Sequence, residues 1–193
     1  MKKVLISGTL CAVGASLAFF TLGAAPAGKT KADLVARGKY LVATSACNDC
    51  HTPKKMGPNG PEIDMSKQLM GYVGAAMPAP AASSGVWMIH SNDQLTAWAG
   101  PWGVSFARNL TPDVNTGIGS WSEETFIKAI RTGKHMGVSR PILPPMPWEV
   151  YAQMTDEDLK SIYAYLRTIP AISNVTPDPV SPPEPPAPPA KSK

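Results

Sequence analysis

The amino-acid sequence predicts a mostly α-helical domain. Three segments carry apolar residues at helical spacing, and no stretch alternates apolar with polar residues as a half-buried strand would. The length, 193 residues without an internal repeat, suits one domain plus extensions. The first helix is expected from about residue 31 to 43, where Leu34 and Val35 are followed two turns later by Leu41 and Val42, with Ala36 and Tyr40 between them. Gly38 lies inside it at a cost of about 1 kcal/mol against alanine, which implies that another backbone or helix approaches closely there. Residues 56–108 follow as a long irregular loop, rich in Gly, Pro, Ala and Met, that needs something to wrap around. The next helix opens at Trp121-Ser122-Glu123-Glu124, with Ser122 or Ser120 as its cap and both glutamates on its positive end. Phe126, Ile127 and Ile130 form its apolar face and Gly133 stops it. The last helix starts at Thr155, followed by Asp156, Glu157 and Asp158, and lines up Leu159, Ile162, Tyr163 and Leu166 before Pro170. The three acids are helix-start charges rather than a catalytic pair.

The flanks differ from this centre. Lys2 and Lys3 precede an uncharged apolar stretch from Val4 to Leu22, and Ala25-Pro26-Ala27, or Gly23-Ala24-Ala25, supplies small residues for cleavage. Residues 1–27 are therefore expected to be an export signal, lost together with Cys11, which places the folded part in the periplasm. Left uncleaved, the same stretch would be a membrane anchor. At the other end, eight of the 21 prolines fall between Pro177 and Pro189, so residues 173–193 are expected to be a disordered, polyproline-like tail. The folded domain is then 28–172. The formal charge of +4 is spread without any basic stripe, which excludes nucleic acid as the default partner. A membrane enters only through an uncleaved leader or a partner complex.

The remaining cysteines sit in Cys47-Asn48-Asp49-Cys50-His51. Two cysteines are too few for a disulfide framework or a four-cysteine zinc site. A redox C-x-x-C expects a βαβ context, whereas a helical segment precedes this one. C-x-x-C-H is the spacing of covalent c-type haem attachment: two thiols reach two vinyl groups on one porphyrin edge, and the adjacent imidazole stands under the iron. One haem c is expected, and it supplies the apolar centre that the 56–108 loop needs. His51 is one axial ligand, and the other position belongs to Met, to His or to nothing. Met146 is favoured, because Ile142-Leu143-Pro144-Pro145-Met146-Pro147-Trp148 holds its thioether on a backbone fixed by prolines. Ile142, Leu143 and Trp148 would pack around it and exclude water. The alternatives are His135, at the end of the penultimate helix, and His90, in the loop; the other methionines read as core filler. Trp87, Trp98 and Trp102 are expected in core packing or haem shielding. Arg108 either pairs with a haem propionate or faces solvent. No Ser-His-Asp set, phosphate loop or catalytic carboxylate pair is present, so electron transfer rather than catalysis is expected.

From Asp33 to Ile172 the chain resembles the class I c-type cytochromes. The resemblance rests on Gly38 and Tyr40 in the first helix, Cys47 to Pro53, the Met146 loop, and Ala164-Tyr165-Leu166 in the last helix. It implies a cytochrome c fold whose terminal helices cross around the haem, with Gly38 meeting Tyr165. It also implies that the His51 ring donates its second proton to a proline carbonyl, for which Pro58 is the candidate. Asn109-Leu110-Thr111-Pro112-Asp113, Thr116 to Trp121, and Asp158-Leu159 are similar to haem domains in cytochrome subunits of bacterial periplasmic dehydrogenases, which typically carry several C-x-x-C-H motifs where this chain has one. The implied function is a periplasmic one-electron carrier serving dehydrogenases, oxidases or other cytochromes. A haem subunit bound or tethered to a membrane complex is the alternative, followed by a sensor or enzyme with an open sixth site.

Overall fold

The computed structural model describes residues 28–78 and 88–182. The leader, Trp87 and residues 183–193 lie outside the described residues. Helix α1, Lys31–Thr44, is closed at its start by a capping box in which the Thr30 hydroxyl accepts from the Asp33 amide and the Asp33 carboxylate accepts from Thr30. Helix α5, Asp156–Leu166, is capped by Thr155, whose hydroxyl accepts from the Asp158 amide at 3.1 Å. These two helices pack on each other, and the contact turns on Gly38. A Cβ at that position would lie 1.8 Å from the Ser161 carbonyl oxygen and 2.8 Å from the Tyr165 Cβ. The meeting of Gly38 with the aromatic helix is thus a backbone-to-backbone contact. Arg37 pairs with Asp158 at 2.9 Å along the same seam.

Helix α2, Cys47–His51, is a single turn between α1 and a small hairpin. Helix α3, Glu123–Thr132, starts at Ser122 and ends on Gly133 in the left-handed region (φ 62°), as its sequence requires. Helix α4, Trp148–Tyr151, follows the proline loop. The main core joins Leu41 and Val42 of α1, Phe126 of α3 and Leu159, Ile162 and Leu166 of α5 with Leu69 and Ile118 from the loops.

The stretch expected to be irregular is more ordered than its composition suggests. Strands β1 (Lys54–Gly57) and β2 (Gly60–Ile63) form an antiparallel hairpin. Strands β3 (His90–Ser91), β4 (Ala97–Gly100) and β5 (Gly103–Phe106) form a three-stranded antiparallel sheet. Both faces of β5 are buried, so it never shows the alternation that reveals a strand. Tyr72 packs on Phe106 with ring centroids 4.9 Å apart, giving this sheet a second, smaller core.

Past residue 172, the expected end of the folded domain, the chain makes further contacts. Residues 174–180 lie against the domain: the Asn174 amide donates to the carbonyls of Met70 and Tyr72 at 2.7 and 2.8 Å, and Val180 exchanges two backbone hydrogen bonds with Val104. Proline content spoke for an extended backbone and was silent on these anchors. Extended geometry is what strand-like pairing with β5 needs.

The close approach at Gly38 yields a direct test. Gly38→Ala should destabilise the haem-loaded protein by about 2 kcal/mol or more, because overpacking against a backbone carbonyl cannot be relieved by a rotamer change. Denaturant unfolding followed by far-ultraviolet circular dichroism checks it.

Candidate haem site

The site is built from the α2 turn outward. Thr52, fully buried, donates its hydroxyl to the Asn48 side chain at 3.0 Å and accepts from the Leu69 amide at 2.9 Å. Lys54 reaches back to the carbonyls of Asp49 and Thr52, at 2.5 and 2.8 Å, and so satisfies orphan acceptors at the end of the turn. Segment 69–72 then stitches this turn to residues 107–110. Gly71 N donates to His51 O, Tyr72 N to Ala107 O, and Leu110 N to Leu69 O, all within 2.8–2.9 Å. Gly71 (φ 82°) permits that approach, since a Cβ would meet the Ala107 carbonyl oxygen at 2.5 Å.

The stitch delivers one functional contact. His51 Nδ1 lies 2.7 Å from the Arg108 carbonyl oxygen. A carbonyl only accepts, so Nδ1 carries the proton and Nε2 carries the lone pair. Burial pushes the His51 pKa down, which keeps the ring neutral. A neutral imidazole with its tautomer fixed from behind is the form in which histidine ligates a metal. The partner expected from the sequence, Pro58, is instead exposed at the tip of the β1–β2 hairpin. That hairpin carries it away from the ring, and the equivalent carbonyl comes from Arg108 in the segment that follows β5.

Cys47, Cys50 and His51 line one wall of a cavity of about 370 Å³. Trp98 and residues 105–110 form a second wall, and Phe126, Ala129 and Ile130 of α3 a third. Ile142, Leu143 and Met146 of the loop after α3 complete it. The two cysteines are not joined to each other, and burial raises their thiol pKa values, that of Cys47 to about 11. A redox C-x-x-C works through a thiol of lowered pKa, and here the environment acts in the opposite direction. Two protonated thiols and a lone-pair imidazole around an apolar cavity fit a covalently held haem.

The remaining expected residues divide between the cavity and its surroundings. Met146 is half-buried and lines the cavity; its loop is tied down by Ser105, whose hydroxyl donates to Pro144 O at 2.5 Å. Trp148 does not join the lining. Its indole lies over Gly133, where an added Cβ would be 2.4 Å from the ring, so it fixes the start and end of the loop relative to each other. His135 and Met136 also line the cavity, His135 packing edge-to-face on Trp121 at 5.4 Å, whereas His90 sits on β3 outside the lining. Trp98 is in the lining and Trp102 packs on Gly100. Asp156 and Asp158 are used in ion pairs with Arg131 and Arg37. Sequence reasoning left Arg108 between a propionate partner and a solvent-facing residue, and missed the rim that it forms with Arg140 and Tyr151. Tyr151 donates to the Ser45 carbonyl at 2.7 Å beside α2. Arg108 donates to the carbonyls of Thr176 and Pro177 at 3.0 Å each and lies 3.6 Å from Asp178. Burial and then the nearby Arg140 cation lower the Arg108 pKa, and Asp178 opposes both. No signal marks this rim in the chain, because Arg108 and Tyr151 reach partners 68 and 106 positions away.

The fold and the site define a covalent-haem electron-transfer protein. The family model for cytochrome c matches residues 35–170, and the chain belongs to the cytochrome c family. Covalently bound haem c, a one-electron redox centre, belongs to that family domain. The chain is 31% identical over 134 residues to the fructose dehydrogenase cytochrome subunit of Gluconobacter japonicus. It is 31% identical over 132 residues to the gluconate 2-dehydrogenase cytochrome c subunit of Pantoea cypripedii, and 25% over 158 to the alcohol dehydrogenase (quinone) cytochrome c subunit of Gluconobacter oxydans (strain 621H). These matches cover 69%, 68% and 82% of this chain and 21%, 22% and 26% of the relatives, so the chain spans about a fifth to a quarter of their length.

Replacing Cys47 and Cys50 together with alanine should leave no haem on the chain after denaturing electrophoresis. Each single replacement should leave a weaker, singly attached band. Peroxidase staining of the gel for haem checks both.

Proposed function

We propose that this chain is a periplasmic one-electron carrier whose haem iron is held between His51 and Met146. The observation that carries the reading is the pairing, across one cavity, of a His51 ring whose Nδ1–H is committed to Arg108 O with a thioether on a loop anchored by Ser105. The haem supplies the one-electron store, and the protein's residues set its conditions. His51 presents Nε2 in one tautomer and one orientation. The Met146 loop holds a soft, weak donor at little further entropic cost, and a thioether ligand favours the reduced state and raises the potential. Phe126, Ala129, Ile142 and Leu143 keep water away from the centre. Met136, Pro145 and Pro147 line the cavity and are exposed, leaving one edge at the surface for a partner to approach.

The relatives' names, all dehydrogenase cytochrome subunits, support a dehydrogenase as the electron donor. They also favour a second reading, in which the chain is a lasting subunit of such a complex. Export by residues 1–27 belongs to both readings. Purification from the native host distinguishes them: a monomer means a shuttle, and co-elution with a dehydrogenase means a subunit.

The ligand assignment is tested optically. The oxidised protein should show the weak red band of methionine bound to ferric haem, and carbon monoxide should leave the reduced spectrum unchanged. Met146→Ala should abolish the red band and admit carbon monoxide, whereas Met136→Ala and His135→Ala should do neither. A wild-type protein that binds carbon monoxide readily would instead indicate an open sixth site and overturn the assignment.

A further inference from the structure

Residues 174–180 approach the site from outside the helical core and touch both halves of the link that holds His51. On one side, the Asn174 amide donates to Met70 O and Tyr72 O. These carbonyls flank Gly71, whose N–H is bonded to His51 O, and Tyr72 N is itself bonded to Ala107 O. On the other side, the Arg108 guanidinium donates to the carbonyls of Thr176 and Pro177, while the Arg108 carbonyl accepts from His51 Nδ1. One residue therefore grips the strap with its side chain and the histidine with its backbone. The far end is fitted as closely. Gly103 has φ 94°, a Cβ there would meet Val180 O at 2.0 Å, and Val104 and Val180 exchange hydrogen bonds of 2.8 and 2.9 Å. Asp178 adds the carboxylate that faces both Arg108 and Arg140, at 3.6 and 4.0 Å.

We propose that segment 174–180 is a positioning strap for His51, bracing segments 70–72 and 107–108 so that the Arg108 carbonyl stays in register with His51 Nδ1–H. The proposal rests on the assignment of His51 as an iron ligand. Its physical content is the stiffness of one hydrogen bond. A main-chain carbonyl held on both sides keeps the imidazole proton engaged and the ring electron-rich, and that tunes the metal from behind its ligand. A strap that merely covers the cavity would act differently, through the entry of water.

Asn174→Ala is the discriminating variant, because Asn174 is neutral and lies outside the cavity lining, and its loss changes no charge. In the oxidised haem-loaded protein, the iron-shifted proton resonance of His51 Nδ1–H is followed during exchange into deuterium oxide, alongside the midpoint potential. The expected result is exchange faster by roughly tenfold or more, on the scale of a lost local brace, together with an upward shift in potential as the imidazole becomes a poorer donor. Arg37→Ala, which removes the Asp158 pair on the α1–α5 seam, serves as the control for general loss of stability and should move neither. Should Asn174→Ala not accumulate with haem, Gly103→Ala lifts the strap at Val180 and is read in the same way. Unchanged exchange would overturn the proposal, and a fall in potential, the sign of added water at the haem, would reduce the strap to a cover. Absence of an iron-shifted His51 signal in the unaltered protein would instead overturn the ligand assignment beneath it.

Discussion

The hydrogen bond from His51 Nδ1–H to the Arg108 carbonyl is the constraint around which the rest of the structure is arranged. It decides which ring nitrogen is left with a lone pair, and it does so through main chain rather than through a titratable side chain. A carboxylate in the same place would make the ligand more basic and bring a charge into an apolar cavity, with the cost of burying it. A carbonyl fixes the tautomer without that charge. The demand passes outward: the carbonyl must be held, so residues 107–110 are bonded to 69–72, and residues 69–72 are bonded to the α2 turn and to Asn174.

This division of labour accounts for the two cores among the described residues. The first, between α1, α3 and α5, fixes the scaffold and owes its closeness to the bare Cα of Gly38. The second, around Tyr72, Phe106 and Val104, stabilises the sheet that carries residues 105–110 to the cavity. The loop inserted between α2 and α3 is thus the wall on which the histidine partner and the Ser105 anchor of the Met146 loop are mounted. The two functions of that wall share strand β5 and its continuation.

Much of this was legible from the chain, and what was illegible has a common cause. The helices announced themselves through periodicity and local caps: Thr30, Ser122 and Thr155 all accept from an amide three residues on. The haem motif was legible because its chemistry requires contiguous residues. Gly38 was legible because an interior helix glycine is costly without a compensating contact. The histidine partner was missed because any residue has a carbonyl, and Pro58 was favoured by family habit rather than by a physical signal. β5 was missed because, buried on both faces, it shows no alternation. The folded part of the tail was missed because its anchors are single side chains and backbone groups far away in sequence, and composition recorded only its prolines.

The separation of the site's parts along the chain also bears on how the molecule folds. His51 and Arg108 are 57 positions apart, and Arg108 and Thr176 are 68 apart. Each such link closes a long loop, and its entropy must be met before the contact repays it. The capped helices form locally and join through the α1–α5 seam, but the histidine's brace waits until residues 174–180 have come round. The site is therefore expected to be among the last regions to consolidate and among the first to loosen, so that small changes near the carboxy terminus register at the iron before they register in helix content.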